Sequence, residues 1–238
     1  MKFRDGLDLL APRRCLGCSR PGATKLCDGC LAGAPWTPPV HTAEWSAPGP
    51  LPCFTLLRFE GLAIDWIHRF KYPRPGIQGL DGPAWCLGIY LAEQLGARLN
   101  PQPGDEAMPI PLHARRFRAR GFNPAASIAR AAFAKHPIRV RYQDLVRVRE
   151  TAPQAGLGSL ARFGNMKGAF GFRRRRGRKL PARVWLVDDV RTTGATLNEA
   201  AKVVREAGVR QIVCVALAQT PHETEALTVR RKHRRSAR

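Results

Sequence analysis

The run from Val184 to Thr196, VWLVDDVRTTGAT, constrains the fold of this chain more than any other stretch. Its first residues, with β-branched Val184 and Val187 and aromatic Trp185, read as a buried parallel strand that enters two adjacent carboxylates and a Thr/Gly turn. Leu197, Ala200, Ala201 and Val204 then fall at i, i+3, i+4 and i+7, which predicts a helix, and Gly208 stands where a left-handed C-terminal cap belongs. Strand, loop and helix in this order make an α/β unit. In open α/β sheets the crevice at the carboxyl ends of the strands takes the ligand, and the N–H groups at a helix N-terminus favour phosphate.

Each residue type in the loop has a task if the ligand is a sugar phosphate. Gly194 permits close backbone approach, Thr192, Thr193 and Thr196 supply hydroxyl donors, and the Thr192–Thr196 stretch carries no acidic side chain to repel an anion. Asp188 and Asp189 can accept hydrogen bonds from vicinal hydroxyls or hold the water shell of Mg²⁺. A lone acid pair would more often end a strand, and lone threonines cap a helix. The coincidence of all four features favours a binding loop.

The stretch resembles the phosphoribosyl pyrophosphate (PRPP) motif of type I phosphoribosyltransferases. The resemblance implies that Asp188 and Asp189 contact the ribose hydroxyls and that Thr192, Thr193, Gly194, Ala195 and Thr196 hold the 5′-phosphate. Several purine-salvage members of that group carry a carboxylate where this chain has Thr192. A threonine cannot serve as a general base near neutral pH.

The N-terminal region offers a second ordered pattern. Cys15, Cys18, Cys27 and Cys30 form two CxxC pairs separated by eight residues, and Pro21-Gly22 between them suits a tight turn. Two such knuckles present four thiolates to one tetrahedral ion, with structural zinc expected. A disulfide pair or an iron–sulfur cluster is the alternative, the first disfavoured in a reducing compartment and the second by the tight spacing. Cys53, Cys86 and Cys214 lie in apolar stretches and read as buried thiols.

The formal net charge of +22 points to polyanionic partners: nucleic acid, an acidic membrane surface or a phosphorylated ligand. Because arginines make up 32 of the 40 basic residues, a genome rich in G and C offers a competing cause. Residues 173–183 hold seven Arg or Lys and read as a surface loop or a solubilising run, as does the basic tail from Arg230. Few aromatic residues are interleaved among these runs, so contacts to single-stranded nucleic acid are expected to go to phosphates rather than to stacked bases. No stretch approaches the ~18 apolar residues of a membrane span and the N-terminus lacks a secretory h-region, so a cytoplasmic protein is expected.

Outside the two patterns, residues 1–14 read as a short amphipathic element, and 32–52 as a Pro/Gly-rich linker in which Trp36 and Trp45 pack in part on the next domain. A strand is expected at CFTLLRF, then a helix over LAIDWIHRF with Leu62, Trp66 and Phe70 on one face, and a further helix over 84–98 that Gly88 weakens. AMPIPL, 107–112, predicts a strand. A loop then carries His113, Arg115, Arg116, Arg118 and Arg120 into a helix over 124–135, capped by Asn123 with Pro124 in its first turn. Guanidinium groups chelate phosphate oxygens in pairs, so His113, Arg115, Arg116 and Arg120 are candidates for a pyrophosphate pocket. A solvated basic loop is the plainer reading of the same residues. A strand over 210–218 completes the sheet.

The series PIPL, RARGFN, LVRVRETAPQAGLGSLARFGNMKGAF and LVDDVRTTGAT, preceded by FKY and the four cysteines, resembles the ComF family of phosphoribosyltransferase-like proteins associated with bacterial natural competence. The likeness covers roughly residues 5 to 220. It implies a four-to-six-stranded, mainly parallel sheet flanked by helices, residues 51–222, behind a zinc module and linker, 1–50, and ahead of a basic tail, 223–238. It implies binding of PRPP or a related ribose 5-phosphate with Mg²⁺, and handling of single-stranded transforming DNA beside a competence helicase-type protein. The alternative is an active phosphoribosyltransferase with an unknown nitrogen acceptor. Where the family commonly continues RGFN with glutamine this chain has Pro124. The segment around Arg147, Thr151, Gln154 and Arg162 corresponds to a flexible lid in phosphoribosyltransferases, in keeping with the polar, Gly-containing composition of 150–160.

Overall fold

The computed structural model describes residues 14–23, 25–38, 51–72, 83–151, 164–174 and 177–220. In chain order its elements are α1 (Asp28–Gly33), β1 (Cys53–Arg58), α2 (Leu62–Lys71), α3 (Pro83–Gly96), β2 (Glu106–Pro109), α4 (Ala114–Arg120), α5 (Pro124–Ala132), β3 (Arg139–Val140), β4 (Leu145–Arg147), β5 (Phe170–Phe172), β6 (Arg183–Arg191), α6 (Ala195–Glu206) and β7 (Gln211–Gln219). Five strands form a sheet in the order β1-β7-β6-β2-β3 with every pairing parallel, and β4 and β5 form a separate antiparallel pair. This is the mainly parallel, helix-flanked sheet that the strand–loop–helix unit calls for.

Parallel strands covered on both faces need continuous apolar runs rather than alternation. Val184, Trp185, Leu186 and Val187 are all buried, as are Cys214 through Ala218. One face of the sheet packs against α2, α3 and α5, the other against α6 and β5. Leu197, Ala200, Ala201 and Val204 are the buried side of α6, as their spacing requires. In α2 the buried face is Ala63, Trp66, Ile67 and Phe70, while Leu62, expected on it, is exposed because it opens the helix at the surface.

Gly88, which weakens α3 by propensity, has a packing cause. A Cβ built there would stand 2.1 Å from the Phe70 ring, so the ring occupies the space a side chain would take. Trp85 and Phe122 complete an aromatic cluster around Phe70, at 5.6 Å and 6.0 Å between ring centroids.

The cysteine region is part of this core rather than an appendage. Cys15, Leu26, Cys30 and Ala34 share one apolar cluster with Trp66, Ile67 and Phe70. Arg69 of α2 donates from Nη2 to the carbonyls of Leu16, at 3.1 Å, and Gly17, at 2.9 Å. From the linker, Trp36 bridges to Leu57 of β1 and its Nε1 donates to the Leu31 carbonyl at 2.8 Å. Residues 1–13, Trp45, Gln154, Arg162 and the tail from 221 lie outside the described residues.

Three expectations are corrected. The residues from Ala114 to Arg120 are helical, not a loop: His113 is extended at the N-cap, Gly121 closes the turn with φ of 80°, and the Ala/Arg sequence between is strongly helix-forming. The strand expected over 107–112 stops at Pro109, where Pro111 and the departing chain end the pairing. Cys86 is exposed, whereas Cys214 is buried and Cys53 half-buried. The basic segment 173–183 also contains a structural residue. Arg178 pairs with Glu106 at 2.7 Å and Asp144 at 2.9 Å, fastening the segment to the end of the sheet.

Candidate functional site

Strand β6 is longer than its apolar run. Pairing with β7 continues to Arg191, opposite Gln219, so Asp188 and Asp189 stand inside the strand rather than in the loop. Pairing with β2 ends at Val187, opposite Pro109. Past that point β6 keeps a neighbour on one side only, and the sheet opens. Since β6 leads through α6 to β7 on one side, and β2 neighbours β3 on the other, the opening is a topological switch point, where α/β sheets place their ligands.

A cleft of about 710 Å³ occupies the opening. Asp188, Asp189, Thr192 and Thr196 line it from β6 and the following turn, and Arg116 and Arg120 from α4, one helical turn apart. The helix explains the selection among the basic candidates. Arg115 points elsewhere, largely exposed, with Nη1 3.7 Å from Glu150, and His113 Nδ1 lies 4.0 Å from the same carboxylate. Neither His113 nor Arg115 lines the cleft.

The turn itself is held from within. Gly194 adopts φ of 79° at the N-cap of α6, a conformation that side chains rarely tolerate. The Ala195 N–H donates to Thr193 Oγ1 at 3.4 Å. Thr193, Gly194 and Ala195 thus shape the turn, while Thr192 and Thr196 face the cavity. Asn123 joins the two walls: Oδ1 accepts from the Ala125 N–H at 3.1 Å as the cap of α5, and Nδ2 donates to the Ile110 carbonyl at 3.0 Å.

Two cleft residues escaped the sequence reading of the site. Lys71, the last residue of α2, places Nζ 2.8 Å from Asp189 Oδ1. Its position four after buried Ile67 signalled an inward edge. Arg147, at the end of β4, lines the same cavity, stacks its guanidinium 5.5 Å from the Phe170 ring centroid and donates to Thr151 Oγ1. Arg116 donates to the Thr151 carbonyl at 3.0 Å, so both arginines bond to a residue of the segment expected to form a lid, to which Arg147 itself belongs. Arg147 Nε is buried without a partner among the described residues.

The electrostatics follow from crowding. Burial, then the neighbouring Asp189 carboxylate, push Asp188 up to about 7, opposed by the Asp189 N–H, Lys71 and Arg147. Burial and the nearby Arg116 hold Arg147 down at about 10. The cleft therefore crowds like charges, Asp188 against Asp189 and Arg147 against Arg116, while the two sets stabilise each other.

The four cysteines converge as their spacing predicts. Their Sγ atoms all lie within 4.8 Å of one another, and Cys18 and Cys27 are 3.6 Å apart. Sulfurs around a tetrahedral ion with bonds of about 2.3 Å stand just under 4 Å apart, so the set suits one ion with no position left open. Burial alone would raise Cys15, but backbone N–H groups of Cys18, Cys27 and Gly17 bring its thiol down to about 6. Among the described residues this is the one group of three or more potential ligands. The acid pair supplies hard oxygen donors of the kind that Mg²⁺ takes. Among the described residues no helix is long and apolar enough to cross a membrane.

No protein-family model matches the chain. Curated relatives do. Competence protein F of Haemophilus influenzae is 36% identical over 132 residues, 55% of this chain and 58% of that protein. Competence protein ComFC of Streptococcus pneumoniae is 31% identical over 153 residues, 64% of this chain and 61% of that protein. The DNA utilization protein YhgH of Salmonella typhimurium is 28% identical over 214 residues, 87% of this chain and 84% of that protein. The match thus spans about three fifths of the two competence proteins. A hypoxanthine phosphoribosyltransferase of Staphylococcus aureus superposes at a TM-score of 0.33 with 14% identity, over 56% of this chain and 64% of that one, and nothing here rests on it. These relatives, the four-cysteine cluster and the ordered series of motifs together bear out the chain's likeness to the ComF family.

Proposed function

We propose that this protein binds PRPP, or a related ribose 5-phosphate accompanied by Mg²⁺, in the cleft at the end of β6, and serves in natural competence by handling incoming single-stranded DNA. One observation carries the ligand reading: Asp188 and Asp189 share a cavity with Thr192, Thr196, Arg116 and Arg120. Acceptors for vicinal hydroxyls, hydroxyl donors at a helix N-terminus and paired guanidinium groups are the three recognition elements of a phosphorylated ribose. The DNA reading rests on the names of the relatives and on the net charge of +22. The four cysteines hold a structural zinc ion, whose closed sulfur shell excludes a catalytic task. The protein works in the cytoplasm, beside a helicase-type competence partner.

Isothermal titration with PRPP and Mg²⁺ tests the ligand reading, with ribose 5-phosphate and pyrophosphate as partial ligands. Saturable binding of PRPP tighter than either fragment is expected. No binding of any of the three overturns it. For the DNA role, deletion of the gene should lower transformation frequency, and an unchanged frequency counts against it.

A second reading has its own support. Phe59, Tyr72, Ile110 and Leu112 give the cleft apolar and aromatic lining beyond what a sugar phosphate uses. Such lining suits a flat nitrogen acceptor, which would make the protein a phosphoribosyltransferase. Pyrophosphate release with a panel of bases and amines distinguishes transfer from binding alone.

A further inference from the structure

Helix α4 has two working sides. One faces the cleft through Arg116, Ala119 and Arg120. The other, through Ala114, Phe117 and Arg118, lines a second groove of about 480 Å³ together with Tyr142, Gln143, Leu145 and Val146. Phe117 is 49% exposed and Tyr142 52% exposed. Single exposed apolar residues are ordinary, but two aromatic rings facing one hollow are a patch. Neither ring packs on another aromatic ring or under a cation among the described residues.

The charges at the groove are of one sign. Arg118 and Arg173 both line it and both are exposed, and their side chains meet no carboxylate among the described residues. Leu112 and Arg147 line the groove and the cleft alike, so the two hollows adjoin. Free aromatic faces between unpaired guanidinium groups in an open groove match the chemistry of a single nucleic-acid strand, whose bases offer π-faces and whose phosphates offer regular negative charge. A duplex presents no unstacked base to such rings.

We infer that the groove between α4 and the segment after β3 is a binding site for single-stranded DNA, with bases stacking on Phe117 and Tyr142 and phosphates meeting Arg118 and Arg173. The inference deepens the proposed handling of single-stranded DNA and rests on it. It also revises the sequence-based expectation of phosphate contacts alone. Phe117 and Tyr142 are 25 positions apart in the chain and line one hollow in the fold.

Fluorescence anisotropy of the full chain with labelled oligothymidylate, and with an abasic strand of equal length and charge, tests it. The wild type should bind the oligothymidylate about tenfold or more tightly than the abasic strand, since stacking is lost with the bases. The double variant Phe117→Ala, Tyr142→Ala should lose that preference while keeping its melting temperature and its affinity for PRPP, and Phe117→Tyr with Tyr142→Phe should retain it. Equal affinity of the wild type for both strands overturns the groove and leaves DNA handling standing. Binding of neither strand removes both. A double variant that keeps the full preference overturns the groove, as does one whose sole change is loss of a dimer seen by light scattering, which would assign the surface to a second copy of the chain.

Discussion

Lys71 Nζ stands 2.8 Å from Asp189 Oδ1, so the acid pair of the cleft is partly neutralised by a lysine from a helix more than a hundred positions earlier in the chain. Both side chains are largely buried, which makes the pair worth more than a surface ion pair. Lys71→Ala leaves two crowded carboxylates without that cation. The variant should lose about 2 kcal/mol of stability at pH 8 and less at pH 5, where Asp188 holds a proton. Thermal melts at the two pH values check this, and an equal loss at both would show that the lysine acts by packing alone.

Asp188 and Asp189 carry the ligand reading. On the proposed reading, replacing both with Asn keeps the shape but removes the charge that would compensate Mg²⁺ and weakens the acceptors that would meet ribose hydroxyls. Each charged hydrogen bond is worth roughly 1.5 to 3 kcal/mol, so PRPP affinity should fall by about two orders of magnitude or more. Titration calorimetry on wild type and variant reads the change directly. A loss of stability with affinity intact would return the acid pair to a structural role at the strand end.

The position of Asp188 sets a pH dependence. Its carboxyl is raised from 3.8 to about 7, so between those values the folded protein holds a proton that the unfolded chain has released. Stability of the unliganded protein should therefore be greatest below about pH 4 as far as this group is concerned, and decline as pH rises to about 7. Asp188→Asn should flatten that decline and be the more stable protein at pH 8. Denaturant titrations across the range measure it. A wild type whose stability rises over the same interval, with no difference from the variant, contradicts the assignment.

Zinc loss should reach well beyond the cysteines. Cys15 and Cys30 share their apolar cluster with Trp66, Ile67 and Phe70, and Arg69 clamps the first knuckle to α2. Cys15→Ser, or a strong chelator, should lower the melting temperature of the whole protein in a single transition rather than unfold a detached module. Elemental analysis should find one equivalent of zinc in protein purified without added metal, and less than about a tenth of an equivalent would remove the metal site.

The strand–loop–helix unit was legible because one face of α6 and all of Val184 to Val187 are buried by one sheet, so local pattern and global position agree. The paired cysteines were legible for the same reason, since their spacing is the geometry. From the sequence the arginine segment reads as a loop because its charge masks its helix-forming residues. The consequence was that Arg115 and His113 could not be separated from Arg116 and Arg120, which only the turn of α4 divides. Arg147, Phe117 and Tyr142 reach their hollows through tertiary packing, and no local period announces that, whereas the helical spacing of Lys71 from Ile67 gives only its edge and not its partner. Gly88 shows the same limit in reverse: its cost to α3 is visible in the sequence, and the Phe70 ring that explains it is not.

Strand β1 has a single neighbour in the sheet, and that neighbour is β7, with Cys53 beside Cys214. On the ribosome, residues 53–58 emerge long before 211–219 exist to receive them, whereas the two cysteine knuckles lie within a span of sixteen residues and can close as soon as they appear. A nascent chain thus completes its set of four cysteines before it completes its sheet. Until synthesis passes β7, Leu56 and Leu57 wait without their final partner, and the folded cysteine region is the one completed piece of core against which α2 can settle.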